Sequence, residues 1–269
     1  MNASRRHPVV LAALLLLASP LALAAQPLND TGQVTCYNAS AATGTVSPAT
    51  QDPEQAGFNE QDCTRGASAA DALGVMTKVG ASTTPGRDYS KIGNDGSVLD
   101  ASAALGNGPT DWACTRDNIT GLIWEVKTDD GGLRDKDWTY TWYDTNAAIN
   151  GGTAGTATGA NCNATLAQCN TSAYRDAINA LSGSSRLCGN TDWRLPTGKE
   201  LQSLVDYGHA AAPYIDTDWF PNAVNTIYWS GQNYAAYAVV AWVVLFSNGH
   251  LGADSKSISN RVRLVRGGQ

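Results

Sequence analysis

Several groups of residues in this 269-residue sequence have the types and spacing to do chemistry. In "DWRLPTGKELQSLVDYG", Asp192 to Gly208, Thr197 and Glu200 stand three apart. That is the pattern of a capping box, in which the hydroxyl and the carboxylate each satisfy an orphan backbone N–H at a helix start. Asp192, Trp193, Arg194 and Glu200 are also the residue types of a polar pocket. Fold-bearing features outnumber sites on motifs of this kind. The expected role of Trp193, Arg194, Thr197 and Glu200 is therefore structural, with Trp193 and Leu195 in the core. Arg194 would pair bidentately with a carboxylate, or with carbonyls, beneath the helix start.

Binding chemistry is expected further on. "YWSGQNYAAY" brings Tyr228, Trp229, Gln232, Asn233, Tyr234 and Tyr237 close together in sequence. Sugars present C–H faces to aromatic rings and hydroxyl edges to amides, so this composition suits a glycan. The candidate ligand-binding residues are Gln232, Asn233, Tyr234 and Tyr237. Asn248 and His250 of "SNGH", together with Lys256, are expected on the same edge. Trp229 and Trp242 are expected to face the core.

Metal and catalytic chemistry find weaker support. Asp129, Asp130, Asp135 and Asp137 form one acidic turn, and Asp216, Asp218 and Asn222 another. Neither matches an EF-hand loop, and calcium needs about six to eight oxygen ligands. Solvated turns are the expected use; no cofactor is assigned, and calcium is the one ion that the acids suggest. A hydrolase would have to recruit His209 or His250, and His209, after a helix end, reads as a C-terminal cap partner. No catalytic residue is assigned.

Six cysteines lie beyond the first 25 residues. An even count in an exported chain reads as disulfides, while their pairing is left open by sequence. The expected bridges are Cys36–Cys63, Cys114–Cys188 and Cys162–Cys169. Zinc is disfavoured, because no Cys-x-x-Cys pair occurs and His209 and His250 are the two histidines past the leader.

Export itself is read from the start of the chain. Arg5 and Arg6 precede an apolar run from Val9 to Leu23, and Ala22-Leu23-Ala24 is a small-x-small cleavage site, so residues 1–25 read as a signal peptide. No later run is long enough to span a bilayer. The formal net charge is −6, and the leader carries Arg5 and Arg6 but no acid, so the mature chain is more acidic still. That balance excludes nucleic acid as a partner, since phosphate binding needs a basic face. In the basic tail, alternation puts Arg261 and Arg263 on one face of a strand and Val262 and Leu264 on the other, an ordinary edge near solvent.

The elements that must position these residues follow from two textures. Residues 26–110 are rich in Ala, Gly, Ser and Thr, and read as an irregular extension packed on the core. All eight tryptophans lie between Trp112 and Trp242, so the core belongs to residues 111–269. Strands are expected over Gly121–Lys127, Ile227–Ser230, Val239–Phe246 and Arg261–Arg266. Trp138, Tyr140 and Trp142 are expected on one face of an extended segment. Helices are expected from Asn170 or Thr171 to Leu181, and after Thr197 through Leu204 and Val205 to a stop at Gly208. Cys162 and Cys169 would staple a Gly/Thr/Asn loop between them. Two short helices, a small twisted antiparallel sheet and long disulfide-stapled loops make an α+β domain.

"DNITGLIWEVKTDDGG", "WTYTWY", "LCGNTDWRLPTGKELQSLVDYG", "IDTDWFPN", "YWSG", "AWVVLFSNG" and "VRLVRGG" occur in the order of the Lcl C-terminal domain family, which the chain resembles from about Asp111 to Gly268. "TGQVTCYNAS…QDC" resembles the lead-in of many members. The resemblance implies a C-type-lectin-like α+β fold, export, and a role in surface attachment and glycan binding. The pairing of "RLPT" with "VRGG" also resembles the formylglycine-generating enzymes, whose oxidase chemistry uses cysteine thiols; the "VRLVRGG" end has none. The expected function is thus an exported, non-catalytic module for a glycan or cell-surface ligand. A structural or envelope protein-interaction domain is the alternative, and the oxidase is a remote third.

Overall fold

A computed structural model describes residues 31, 35–37, 42–45, 74, 77–84 and 86–267. The signal segment and Cys63 fall outside these residues, and with Cys63 the expected Cys36–Cys63 bridge. Among them the order of elements is β1 (Thr35–Tyr37), β2 (Ala42–Thr45), β3 (Tyr89–Gly93), β4 (Trp112–Asp117), β5 (Ile123–Glu125) and β6 (Tyr140–Thr141), then α1 (Thr171–Asn179) and α2 (Gly198–Gln202). The chain continues through β7 (Ile227–Asn233), β8 (Val240–Leu245), β9 (His250–Ser255), β10 (Ser259–Asn260) and β11 (Val265–Arg266). The domain is α+β, with small antiparallel sheets and two short α-helices among the described residues.

The two larger sheets run β11-β5-β4-β3 and β7-β8-β9, both antiparallel throughout, and β1-β2 and β10-β6 form two-stranded antiparallel pairs. Strand β3 comes from the stretch expected to be irregular. It pairs with β4 from Tyr89↔Asp117 to Gly93↔Trp112, and Tyr89 and Ile92 are buried. The organised part of the domain therefore begins before Asp111: two large apolar side chains give this segment a face to bury, which composition averaged over 26–110 conceals.

Two cores result. One gathers Tyr140, Trp142, Tyr174, Trp193 and Trp229 around the Cys114–Cys188 bridge, and the other gathers Tyr89, Trp124, Trp219, Phe220, Tyr228 and Phe246. Trp138, Tyr140 and Trp142 all pack on the first core, although just Tyr140–Thr141 is a strand. The second expected staple, Cys162–Cys169, is also formed. Trp242 departs from expectation: it is half-buried and belongs to neither core.

Both helices start as their sequences dictate. Asn170 caps α1 by accepting the Ala173 N–H at 2.9 Å, and Tyr174 and Ile178 face inward. At α2 both halves of the capping box are present. This helix is shorter than expected, ending at Ser203; Leu204 and Val205 are buried in the turns beyond it, and Gly208 is not its stop. A remote side chain explains the early end. Arg87, buried beside β3, donates to the Ser203 carbonyl and, at 2.5 Å, to that of Val205. A cation on the terminal carbonyls satisfies acceptors that another helical turn would have used.

The basic tail is a second correction. Arg263 is 1% exposed, donating to the Glu125 carbonyl at 2.6 Å and lying 5.1 Å over the Phe220 ring. It is a core residue and not a solvent edge. Around it sits a buried polar network: the Lys127 ammonium lies 3.0 Å from both Glu125 Oε1 and the Tyr174 hydroxyl, which itself donates to Glu125. Glu125 Oε2 accepts the Leu264 N–H at 2.9 Å. Burial and the Glu125 charge both push the Tyr174 hydroxyl far above its usual range, so it stays a donor.

Candidate functional site

The β7–β8 hairpin presents the aromatic residues of interest. The register slips between Trp229 and Asn233, and the backbone then turns through Tyr234–Tyr237 and Tyr237–Val240 hydrogen bonds. The slip puts Trp229 inside, with its indole N–H donating to the Tyr140 carbonyl at 2.7 Å, and leaves Tyr234 and Tyr237 outside. Trp242 stands edge-on to Tyr234 at 4.9 Å and 77°; Tyr234 stacks with Tyr237 at 6.1 Å and 23°. Three rings therefore step from the sheet to solvent, where Tyr237 is 65% exposed.

Amides flank this ladder. Gln232 is exposed and accepts the Gly198 N–H through Oε1 at 2.8 Å, which orients its NH₂. Asn233 donates to the Tyr234 carbonyl at 2.9 Å, while its buried Oδ1 lacks a hydrogen-bond partner among the described residues. Gly151 approaches it so closely, at a φ of 64°, that a Cβ there would lie 2.1 Å from Asn233 Nδ2.

The remaining expected residues do not join them. Asn248 and His250 form the turn at the other end of β8, where Leu245 pairs with His250, whereas Val240 at the ladder end pairs with Ser255. A strand length of roughly 17 Å separates the two turns. Lys256 is at the ladder end but points inward, 2% exposed. Its ammonium donates to the Asn150 and Thr153 carbonyls at 2.8 Å each and lies 4.2 Å over the Trp142 ring. It fixes the 144–155 loop against the hairpin instead of meeting solvent.

A cleft opens beside the hairpin, between Tyr143–Asp144, Ile149, Arg175 of α1 and Arg194-Leu195, with Gly231 of β7 on its lining. Arg175 reaches Asp144 at 3.1 Å and Asp176 at 2.7 Å, so donors and acceptors stand side by side. Sequence reading missed Tyr143, Asp144 and Arg175. The "WYD" run carries the sole signal, and its alternation drew the eye to Trp142.

The motif at Arg194 is scaffold in its contacts. Arg194 pairs with both Glu200 oxygens and donates to the Gly267 carbonyl at 3.1 Å; the Trp193 indole donates to the Leu187 carbonyl at 3.1 Å. Burial disfavours ionisation of Glu200, but the Arg194 and Thr197 hydrogen bonds prevail and hold its carboxyl below the usual range.

The acidic turns are likewise occupied. Carboxylate oxygens of Asp129, Asp135 and Asp137 lie within 4.8 Å of one another. The Lys136 ammonium sits 2.6 Å from Asp129 and 3.4 Å from Asp137, and Asp135 accepts the backbone N–H groups of Asp130, Gly131 and Asp137. Asp216 accepts the Thr84 hydroxyl at 2.7 Å, while Asn222 donates to the Lys127 carbonyl. His209 lies beyond the shortened α2 and contacts the Ala211 carbonyl, so it does not cap the helix.

The model of the Lcl C-terminal domain family matches residues 113–266, more than half of the chain. No curated protein matches it.

Proposed function

We propose that this chain, which belongs to the Lcl C-terminal domain family, is an exported, non-catalytic module that recognises a glycan on a surface. The observation that carries this reading is the Trp242–Tyr234–Tyr237 ladder, whose outermost ring is free to stack on a sugar. The Gln232 amide and the Asp144–Arg175 pair supply hydroxyl partners on either side of the hairpin. Export is supported by the bridges Cys114–Cys188 and Cys162–Cys169, since disulfides persist in oxidising compartments. These four cysteines are paired and so offer no thiol for oxidase chemistry.

A glycan array probed with the mature protein tests the reading. Binding to at least one glycan class is expected, and Tyr237→Ala should remove most of it. The proposal is overturned if no glycan binds above background, or if Tyr237→Ala and Tyr234→Ala leave binding unchanged. A protein-contact role is the second reading, favoured by Val239 and Ile258, which are 58% and 48% exposed near the same tip. Pull-down from envelope extract, with the same variants, discriminates between them.

A further inference from the structure

We propose a second ligand site, for one small uncharged hydroxylated ring of the monosaccharide kind, in a cleft between Asp130 and the end of α1. The cleft uses none of the hairpin residues. Its cavity volume is about 280 Å³, just below the roughly 300 Å³ at which pockets for drug-sized ligands begin, so it suits one ring better than a chain.

One wall is polar and held from behind. Arg134 is buried and donates to the Ala113 and Val126 carbonyls at 3.2 and 3.0 Å, and to Asn107 Oδ1 at 3.2 Å. Asn107 in turn donates to Asp130 Oδ2 at 2.9 Å; Asp130 Oδ1 accepts the Thr128 hydroxyl and the Gly132 N–H, both at 2.8 Å. The relay fixes the direction of each group before any ligand arrives, which lowers the ordering cost of binding. The apolar part of the lining is Ile178 and Leu181 at the end of α1 with Leu187 in the turn beyond, and the exposed Ser184 and Ser185 complete it. Neither serine hydroxyl is hydrogen-bonded to a described residue, so both are available to a ligand.

Charge decides the class. Burial opposes ionisation of Asp130, yet the bonds from Asn107, Gly132 and Thr128 hold its carboxyl below the usual range, and the Arg134 cation balances it. A cleft with one fixed charge of each sign selects neither anions nor cations. A ring with an apolar face and hydroxyl edges satisfies both parts of the lining without leaving a buried polar group unpaired. Asn94 and Asn107 on this lining precede residue 113, where the family match begins. The site is thus completed by this chain's own lead-in segment.

The test is a ¹⁵N-resolved NMR titration of the mature chain with methyl glycosides of neutral hexoses, pentoses and N-acetylhexosamines. A uronic acid and a sulfated monosaccharide serve as charged comparisons. At least one neutral sugar should give saturable shifts at the Gly132, Leu133, Ser184 and Ser185 amides. Ser184→Trp, which fills the cleft from an exposed position, should weaken that binding at least about tenfold, and Asn107→Ala should weaken it several-fold, with the spectrum otherwise unchanged. The proposal is overturned if no neutral sugar shifts these amides at millimolar concentration, if charged sugars bind there equally well, or if both variants bind as the parent does. Shifts confined to residues 232–242 would remove this site and leave the hairpin reading standing.

Discussion

Arg194 and Glu200 meet in two parallel hydrogen bonds, Nη1 to Oε2 at 2.8 Å and Nη2 to Oε1 at 2.7 Å. The same Oε2 accepts the Thr197 N–H at 2.7 Å, so the carboxylate that closes the capping box also anchors the arginine. The Arg194 backbone exchanges both hydrogen bonds with Val265 at 2.9 Å. One carboxylate thereby ties the start of α2 to the last strand.

Glu200→Gln keeps the shape of this junction and removes its charge. A destabilisation of about 1–2 kcal/mol is expected, toward the low end because Arg194 and Glu200 both retain contact with solvent. The Glu200 carboxyl is held below its usual range in the folded state. Its contribution is therefore present above the unfolded carboxylate range and is lost as pH falls through the folded value. Urea melts of parent and variant should differ at neutral pH and converge in acid; a gap that stays constant would contradict the assignment.

Tyr237→Ala and Trp229→Ala should behave as opposites. Tyr237 is exposed, so its loss should leave the melting temperature unchanged and weaken glycan binding by up to about tenfold, or roughly 1.4 kcal/mol. Trp229 is fully buried, and its truncation should cost about 3–5 kcal/mol of stability. Calorimetry together with a binding assay checks both.

The two described disulfides close loops of different length, with sequence separations of 74 and 7. Loop-closure entropy assigns about 4.5 kcal/mol to Cys114–Cys188 and about 2.5 kcal/mol to Cys162–Cys169. Paired Cys→Ser variants should rank in that order in denaturant. Equal losses would mean that loop length in the unfolded chain does not set the cost of losing a bridge.

Lys127 and Glu125 are both buried and joined at 3.0 Å. Lys127→Met alone strands the carboxylate and should cost about 3–5 kcal/mol. Adding Glu125→Gln should restore part of the loss, since a neutral amide can still accept the Leu264 N–H through its oxygen and donate through its NH₂ to the Tyr174 hydroxyl. A double variant no more stable than Lys127→Met would show that the charge is not the cause.

Local signals were read correctly where the partners sit within one turn of chain. The Thr197–Glu200 box and the Asn170 cap are contacts across three residues, and both form. Where a helix ends is not local: Arg87, more than a hundred residues away from Ser203, takes the carbonyls that would have continued α2. The same holds for charge. Arg263 and Lys256 carry the residue types of a surface, yet each finds carbonyls and a ring in the interior, and no window of sequence announces that. The candidate site was half legible. "YWSGQNYAAY" named the aromatic ladder, but which end of β8 a residue occupies is set by hairpin register, and this separates Asn248 and His250 from Tyr237.

Strand β3 lies outside the stretch that the family shares, yet it covers one side of β4 along its whole length. Evolution's unit of recognition and the polymer's unit of cooperativity are therefore offset in this chain. A gene fragment cut at residue 113 would keep every hallmark of the lineage while baring an unsheathed edge strand, and it would drop Arg87 from the end of α2. Such a fragment should stick to itself, and one that starts ahead of the buried Arg87 should not. The segment that carries Arg87 and β3 lies ahead of the family match, yet it closes the edge of β4.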